Sequence, residues 1–279
     1  MNVLNKSDKV VIKRNDIAIS LVEYQKYLCL QFHNLLSCLE DNGIKYSLAY
    51  GTLLGAVREG GIIKWDFDID IFINDSDVKL INELIVKSSR KDWIFKTFIN
   101  NECGYGESRI YFNDLKIYRP LFKEKQVEYA HIDLHHYRNV SFFEHLNKNI
   151  IKHYKRLLLL NNIKNDKDYS SNAIKRILKK ILLPFLPSSK TINKKFRSLH
   201  KRYDKNNKKL LTILDPYESL KAPPNFVNQY EYISFNGRKC SVFANYDELL
   251  KFFYGNDYMT PCNDGRSKDV FYYITYKNN

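Results

Sequence analysis

The chain has 279 residues, enough for one large domain or one domain with an elaboration, and ample to bury a core of its own. Apolar residues make up 44% and charged residues 27%, with only 10 glycines and 7 prolines, which excludes a disordered or fibrous chain. The net charge of +14 is concentrated: residues 148–209 hold 19 Lys or Arg against Asp166, Asp168 and Asp204, so a body at −2 carries one segment at +16.

Five widely spaced cysteines, Cys29, Cys38, Cys103, Cys240 and Cys262, include no C-x-x-C pair. Free thiols in a reducing cytosol fit them better than a zinc site. The N-terminus has no long apolar core and no small-residue cleavage site. No stretch approaches the roughly 20 apolar residues of a membrane span. The expected location is the cytoplasm, free or peripheral on the inner face of a membrane.

Ser20 to Asn42 predicts an amphipathic helix, with capping-box spacing at Ser20 and Glu23 and apolar residues Leu21, Tyr24, Leu28, Phe32, Leu35 and Leu39 at helical intervals. Lys45 to Tyr50 predicts a short strand, running through Gly51-Thr52 into a short helix that Glu59-Gly60-Gly61 ends. Ile62 to Ile73 predicts a second strand, and Asp75 to Ser89 a helix. Trp93–Phe98, Ser108–Phe112 and the alternating Tyr129–Tyr137 are further strand candidates. Residues 148–209 predict helices, among them the basic amphipathic segment 173–183, which suits either an anionic membrane surface or the protein's own core. Residues 210–279 are mixed, with one helix from Tyr246 to Phe253 before Gly255.

On an extended Ile62–Ile73, Asp66, Asp68 and Asp70 share one face and Phe67, Ile69 and Ile71 the other. Acids are depleted in strands, and three together repel. A divalent cation, Mg²⁺ or Mn²⁺ for hard oxygen donors, relieves that repulsion. Gly51 lets backbone approach a phosphate, the helix start offers amide hydrogens to an anion, and Thr52 could cap that helix instead. Asp133 is a candidate third carboxylate; the face His131-Asp133-His135 could also hold zinc or iron, or be a plain polar face. Arg58 could pair with phosphate oxygens or be an ordinary helix-end arginine.

The run Tyr50-Gly51-Thr52-Leu53-Leu54-Gly55-Ala56-Val57-Arg58, followed by Ile63-Lys64-Trp65-Asp66-Phe67-Asp68-Ile69-Asp70, resembles the signature of the LicD family, whose relatives include the fukutin-type glycan phosphotransferases. Phe235-Asn236-Gly237-Arg238-Lys239, Ala244 to Leu250 and Tyr254 to Pro261 resemble its closing motif. Lys64 stands where proline is usual and Phe67 where many members carry aspartate. The resemblance implies an α+β, nucleotidyltransferase-like fold: a mixed sheet with flanking helices. It implies transfer of a phospho-alcohol such as phosphocholine from a CDP-linked donor to a sugar hydroxyl of a glycan or lipid-linked glycan. It also implies Asp68, Asp70 and Asp133 as metal ligands and Gly51, Thr52 and Arg58 at the nucleotide phosphates, with Asp66 or Asp133 accepting the hydroxyl proton. The expected organisation is a catalytic core over 1–147, a basic helical insert over 148–225, and a C-terminal return to the core over 226–279. Two rivals stand beside this reading: nucleotide transfer to a small molecule, and nucleic-acid binding through the basic segment, for which no recognition signature is present.

Overall fold

The computed structural model describes residues 11–14, 17–88, 90–97, 107–121, 124–141, 188, 191, 194, 210–213, 221–222 and 227–261. The predicted amphipathic segment 173–183 and Cys103 and Cys262 lie outside the described residues.

Helix α1 (Leu21–Asp41) follows its local signals. The Ser20 hydroxyl accepts from the Glu23 amide, and the Glu23 carboxylate accepts from the Ser20 amide at 2.8 Å. Such a reciprocal cap is worth about 1 kcal/mol. The stripe Tyr24, Leu28, Phe32, Leu35 and Leu39 is buried in the core, and Gly43 at φ +66° lets the chain leave the helix.

The strands are β1 (Val11–Arg14), β2 (Ile17–Ile19), β3 (Tyr46–Leu48), β4 (Ile69–Asn74), β5 (Trp93–Thr97), β6 (Glu107–Leu121), β7 (Glu124–Ser141), β8 (Leu210–Ile213) and β9 (Lys221–Ala222). They form one sheet along the path β2-β1-β6-β7-β4-β3. The long β6 receives β5 and β1 on one side, β8 adds to β7, and β9 adds to β8. Every pairing is antiparallel except β4 with β7, which is parallel. The fold is α+β with a mixed sheet, compatible with a nucleotidyltransferase-like architecture. β8 and β9 fall within the segment expected to be a helical insert, and join the sheet as strands.

Helices α2 (Tyr50–Glu59) and α3 (Val78–Lys87) flank β4 in sequence. Val78, Ile81 and Ile85 of α3 join Ile69, Ile71, Ile110, Phe112, Ile132 and Leu134 in the main core. A hairpin, β10 (Tyr230–Phe235) and β11 (Arg238–Phe243), turns at Asn236 (φ 47°) and Gly237 (φ +81°), the left-handed pair that a two-residue turn requires. It docks on the body: the Phe243 amide donates to the Ser47 hydroxyl at 3.0 Å, and Arg238 donates to the His33 carbonyl, the Ser37 hydroxyl and Glu40. Helix α4 (Tyr246–Tyr254) follows, ended by Gly255 as its sequence predicts.

One strand is shorter than expected. β4 begins at Ile69, so residues 62–68 approach it as a loop. The reason lies in α1. The Gln25 amide donates to the carbonyls of Ile63 (3.0 Å) and Asp66 (2.9 Å), and the Tyr24 hydroxyl donates to that of Phe67 (2.5 Å). These carbonyls are satisfied by side chains rather than by a neighbouring strand. Gln25→Leu removes both bonds; the Ile63 carbonyl keeps the Asp66 amide at 2.9 Å, but the Asp66 carbonyl loses its side-chain donor, so we expect a loss of about 1–3 kcal/mol in chemical denaturation. An unchanged midpoint would show that the loop is held by other means.

Candidate functional site

Register builds the site. Asp70 of β4 is the direct partner of Asp133 of β7, Arg109 of β6 is the partner of Asp133, and Lys96 of β5 is the partner of Arg109. Residues paired across strands share a face. One row therefore crosses four strands as Lys96, Arg109, Asp133 and Asp70. The opposite face of the same strands carries Ile69, Ile71, Ile110, Ile132 and Leu134 and packs into the core.

His135, two residues beyond Asp133, returns to the polar face. Its Nε2 lies 2.9 Å from Asp70 Oδ1. Asp70, Asp133 and His135 each offer a ligand atom, and these atoms lie within 4.8 Å of one another. Asp133 Oδ1 is 2.6 Å from Arg109 Nε, an ion contact without hydrogen-bond alignment; that buried oxygen accepts no hydrogen bond among the described residues. His131 Nε2 is 3.5 Å from Asp133 Oδ2 and its Nδ1 donates to the Tyr129 carbonyl at 3.0 Å, so that donating to both neighbours takes the doubly protonated imidazolium.

The electrostatics separate the carboxylates. Burial, then the charge and hydrogen bond of Asp68 and the charge of Asp70, push Asp66 up to about 9. Burial also pushes Asp70 up to about 6, with Asp68 and Asp133 adding to it and the hydrogen bond from His135 opposing it. Asp133 goes the other way. Burial raises it, but the hydrogen bond and charge of His131, joined by Arg109 and His135, hold it below the ordinary carboxylate value. Burial lowers His131, yet Asp133 more than compensates and leaves the imidazole above its usual value.

The sequence-expected residues divide accordingly. Asp70 and Asp133 meet as expected, from two separate strands. Asp66 and Asp68 are on the loop before β4, not on a strand face, so shared alternation is not what gathers them; they stay together through their mutual hydrogen bond. Gly51 and Thr52 lie in the first turn of α2 rather than before it. A Cβ at Gly51 would stand 2.9 Å from Asp66 Oδ2, so the close approach that this glycine allows is made by a carboxylate. Thr52 does not cap α2, whose N-cap is Ala49; its hydroxyl accepts from the Asp70 amide at 2.8 Å and ties the helix start to β4. Arg58 is in the last turn of α2, paired with Glu59 at 2.8 Å, about 9 Å along the helix axis from Thr52. Phe67 is buried in the core with its ring against Tyr24, so the aromatic at this position leaves the carboxylates alone.

His135 and Arg109 complete the site. His135 was visible only as one of two histidines flanking Asp133, and Arg109 gave no local signal. Its place beside Asp133 depends on the register of two strands separated in sequence. On the opposite face, Ser108 donates to His136 Nε2 and His136 Nδ1 donates to Asp75, each at 2.9 Å. Ser108 is fully buried, so this relay ties β6 and β7 to the turn that follows β4.

The residues fit a divalent cation. Two carboxylates and an imidazole converge, Asp133 Oδ1 has no hydrogen-bond donor among the described residues, and the Asp70 and Asp66 carboxyls are held against ionisation by burial and by neighbouring carboxylates, both of which a cation would offset. The profile of the LicD/FKTN/FKRP nucleotidyltransferase domain matches residues 43–160, which span β3, β4, β6 and β7 and hence Asp70, Arg109, Asp133 and His135. These residues are similar to the nucleotidyltransferase domain of the LicD family.

Three relatives share sequence with this chain. It is 24% identical over 258 residues, 84% of this chain and 90% of the relative, to the lipopolysaccharide cholinephosphotransferase LicD of Haemophilus influenzae. It is 48% identical over 44 residues to the human ribitol 5-phosphate transferase FKRP, a match that takes in 16% of this chain and 9% of that protein. It is 31% identical over 128 residues, 46% of this chain and 36% of the relative, to an uncharacterised protein of Rickettsia typhi. No helix among the described residues of this chain is long and apolar enough to cross a membrane.

Proposed function

We propose that this chain transfers a phospho-alcohol, phosphocholine or a similar group, from a CDP-linked donor to a sugar hydroxyl of a cell-surface glycan, with Mg²⁺ or Mn²⁺ as cofactor. The observation that carries the reading is the in-register pairing of Asp70 with Asp133 on parallel strands, with His135 completing a three-ligand group. The long match to a lipopolysaccharide cholinephosphotransferase supports the reaction class and a glycan as acceptor.

Asp70, Asp133 and His135 would hold the cation, with Asp68 beside them. The cation would supply charge neutralisation at the phosphates of the donor. Oxygen donors favour Mg²⁺ or Mn²⁺, and the imidazole inclines the set toward Mn²⁺. The α2 start presents amide hydrogens next to Gly51, where a diphosphate finds donors. The acceptor hydroxyl oxygen attacks the phosphorus bearing the alcohol, the bond to the CMP phosphate breaks, and CMP leaves.

Of the two candidate bases, Asp66 suits the proton better. Asp133 is held below the ordinary carboxylate value by His131 and Arg109 and has little affinity for a proton, whereas Asp66, raised to about 9 without cation, takes one up readily once a cation beside it has displaced the proton it already carries.

The test is a comparison of CDP-choline, CDP-ribitol and CDP-glycerol with Mn²⁺ or Mg²⁺. One of them should raise the melting temperature in the presence of cation and release CMP once a glycan acceptor is added. No stabilisation by any of the three and no CMP would remove the reading.

A further inference from the structure

We propose that Asn236 is a positioning residue: from the tip of the β10–β11 hairpin it sets where the loop carboxylates of Asp66 and Asp68 stand beside Asp70, Asp133 and His135. The inference rests on the cation reading given above.

The loop between α2 and β4 folds back along the helix it has just left. Gly60, at φ +72°, reverses the chain. Gly51 and Gly55 are four residues apart and share one face of α2. A Cβ on Gly55 would stand 2.4 Å from the Gly61 carbonyl oxygen, and one on Gly51 would stand 2.9 Å from Asp66 Oδ2. The bare face lets the loop lie against the helix and brings Asp66 to its first turn. Asp66 and Asp68 are hydrogen-bonded to each other, so a shift of the loop moves both.

Asn236 closes on the loop from the other side. A Cβ on Gly61 would stand 1.8 Å from Asn236 Oδ1, and its three nearest atoms would all belong to Asn236. The Asn236 backbone N–H donates to the Gly60 carbonyl at 2.9 Å, its Oδ1 accepts from the Ile62 amide at 3.3 Å, and its Nδ2 donates to the Cys29 sulfur. Asn236 thus grips the loop on both sides of Gly61, just before the acidic run. The hairpin that carries it is firmly seated. Phe235 is fully buried with its ring edge-on to Phe32 at 5.7 Å, and Arg238 is bonded to α1. Helix α1 also holds Ile63, Asp66 and Phe67 through Gln25 and Tyr24, so both ends of the loop are referred to one helix.

The hairpin turn does not by itself call for this side chain. Its first position needs a left-handed backbone, which glycine also supplies. Asn236→Gly therefore keeps the turn and deletes only the two side-chain bonds to the loop and to Cys29. Asn236→Asp is the conservative partner, since aspartate tolerates the left-handed region and keeps the acceptor for Ile62. Burial pushes Cys29 up to about 11, so it stays a thiol and can donate to that carboxylate. Asn236 is exposed, so neither change opens the core.

The experiment measures binding rather than turnover. Mn²⁺ is titrated into the full chain by calorimetry, and melting is followed in EDTA. Asn236→Gly should bind Mn²⁺ about tenfold more weakly, the scale of losing a residue that orients metal ligands. Its melting temperature should stay within about 4 °C of the wild type. Asn236→Asp should stay within about twofold of wild-type affinity, far short of the tenfold loss. Gly61→Ala should weaken Mn²⁺ as much as Asn236→Gly does, because its methyl displaces the asparagine side chain. Added to Asn236→Gly it should cost less than about twofold more, since the side-chain atoms it would meet are gone. Unchanged Mn²⁺ affinity in Asn236→Gly, an Asn236→Asp chain as weak as Asn236→Gly, or a Gly61→Ala penalty that persists in full in the double variant each overturns the proposal. A collapse of the melting temperature in Asn236→Gly also overturns it, by showing that the side chain holds the fold rather than the loop. Failure of the wild type itself to bind Mn²⁺ would instead strike at the cation reading.

Discussion

Asp70→Ala is expected to lower kcat/KM for phospho-alcohol transfer by about a thousandfold or more, the scale seen when a principal electrostatic group is removed from a reaction centre. Asp70 occupies the centre of the site. Its carboxylate contacts His135, its strand partner is Asp133, and its amide is anchored by Thr52. No neighbour replaces it, because the loop carboxylates of Asp66 and Asp68 are engaged with each other. The fold should survive. Burial and neighbouring charge push Asp70 up to about 6, so its ionised form is disfavoured where it stands, and deleting it removes repulsion from the cation-free protein. The expected pattern is an Asp70→Ala protein that melts no lower than the wild type without cation, gains nothing from Mn²⁺, and has lost turnover. Asp133→Ala should share the loss of turnover. Turnover above a tenth of wild type in Asp70→Ala would mean that the carboxylate pair is not where the chemistry occurs.

How far the sequence reveals this site depends on how far the interactions reach along the chain. Helix α1 is legible because its cap, stripe and stop are all local. Helix α4 and the Asn236-Gly237 turn are legible for the same reason, although the turn entered the sequence reading only as part of a family motif. The acidic run is legible as a cluster but not as a shape. Alternation predicts a strand from Ile62, whereas Gln25 and Tyr24, about forty residues earlier, capture the carbonyls that strand pairing would need. Thr52 shows the same limit. Locally it looks like a helix cap, and only the packing of α2 on β4 turns its hydroxyl to the Asp70 amide. Arg109 is the furthest from view, since its meeting with Asp133 is a matter of antiparallel register alone. Asp133 was legible as the acid that would make the two acidic segments one site, against a zinc or iron face and a plain polar face, and the family resemblance added to it.

The cation-free protein should become less stable as pH rises from 5 to 8, and Mn²⁺ should reverse that loss. Asp66 rises from 3.8 to about 9 in the folded protein and Asp70 from 3.8 to about 6. A carboxyl whose folded value exceeds its unfolded value binds more protons in the native state. Stability therefore falls with pH above the unfolded value, until the folded value is passed. For Asp70 the loss runs from about pH 4 to 6, and for Asp66 from about pH 4 to 9, each window starting at the model-peptide value. His131 acts in the same sense above its ordinary 6.5, because its folded value is raised; His33 opposes it below 6.5, because its folded value is lowered. Asp133 and Asp75 are lowered and exert their effect at more acid pH, outside this range. A cation binds the carboxylate form, so its stabilisation should be small at pH 5 and large at pH 8. At a hundredfold excess over its Kd it should reach roughly 2.7 kcal/mol. Melting curves at the two pH values, with EDTA and with Mn²⁺, measure both effects together. Stability that climbs with pH in EDTA, or a Mn²⁺ effect that is larger at pH 5, would show that these carboxyls do not carry their protons as their crowding requires.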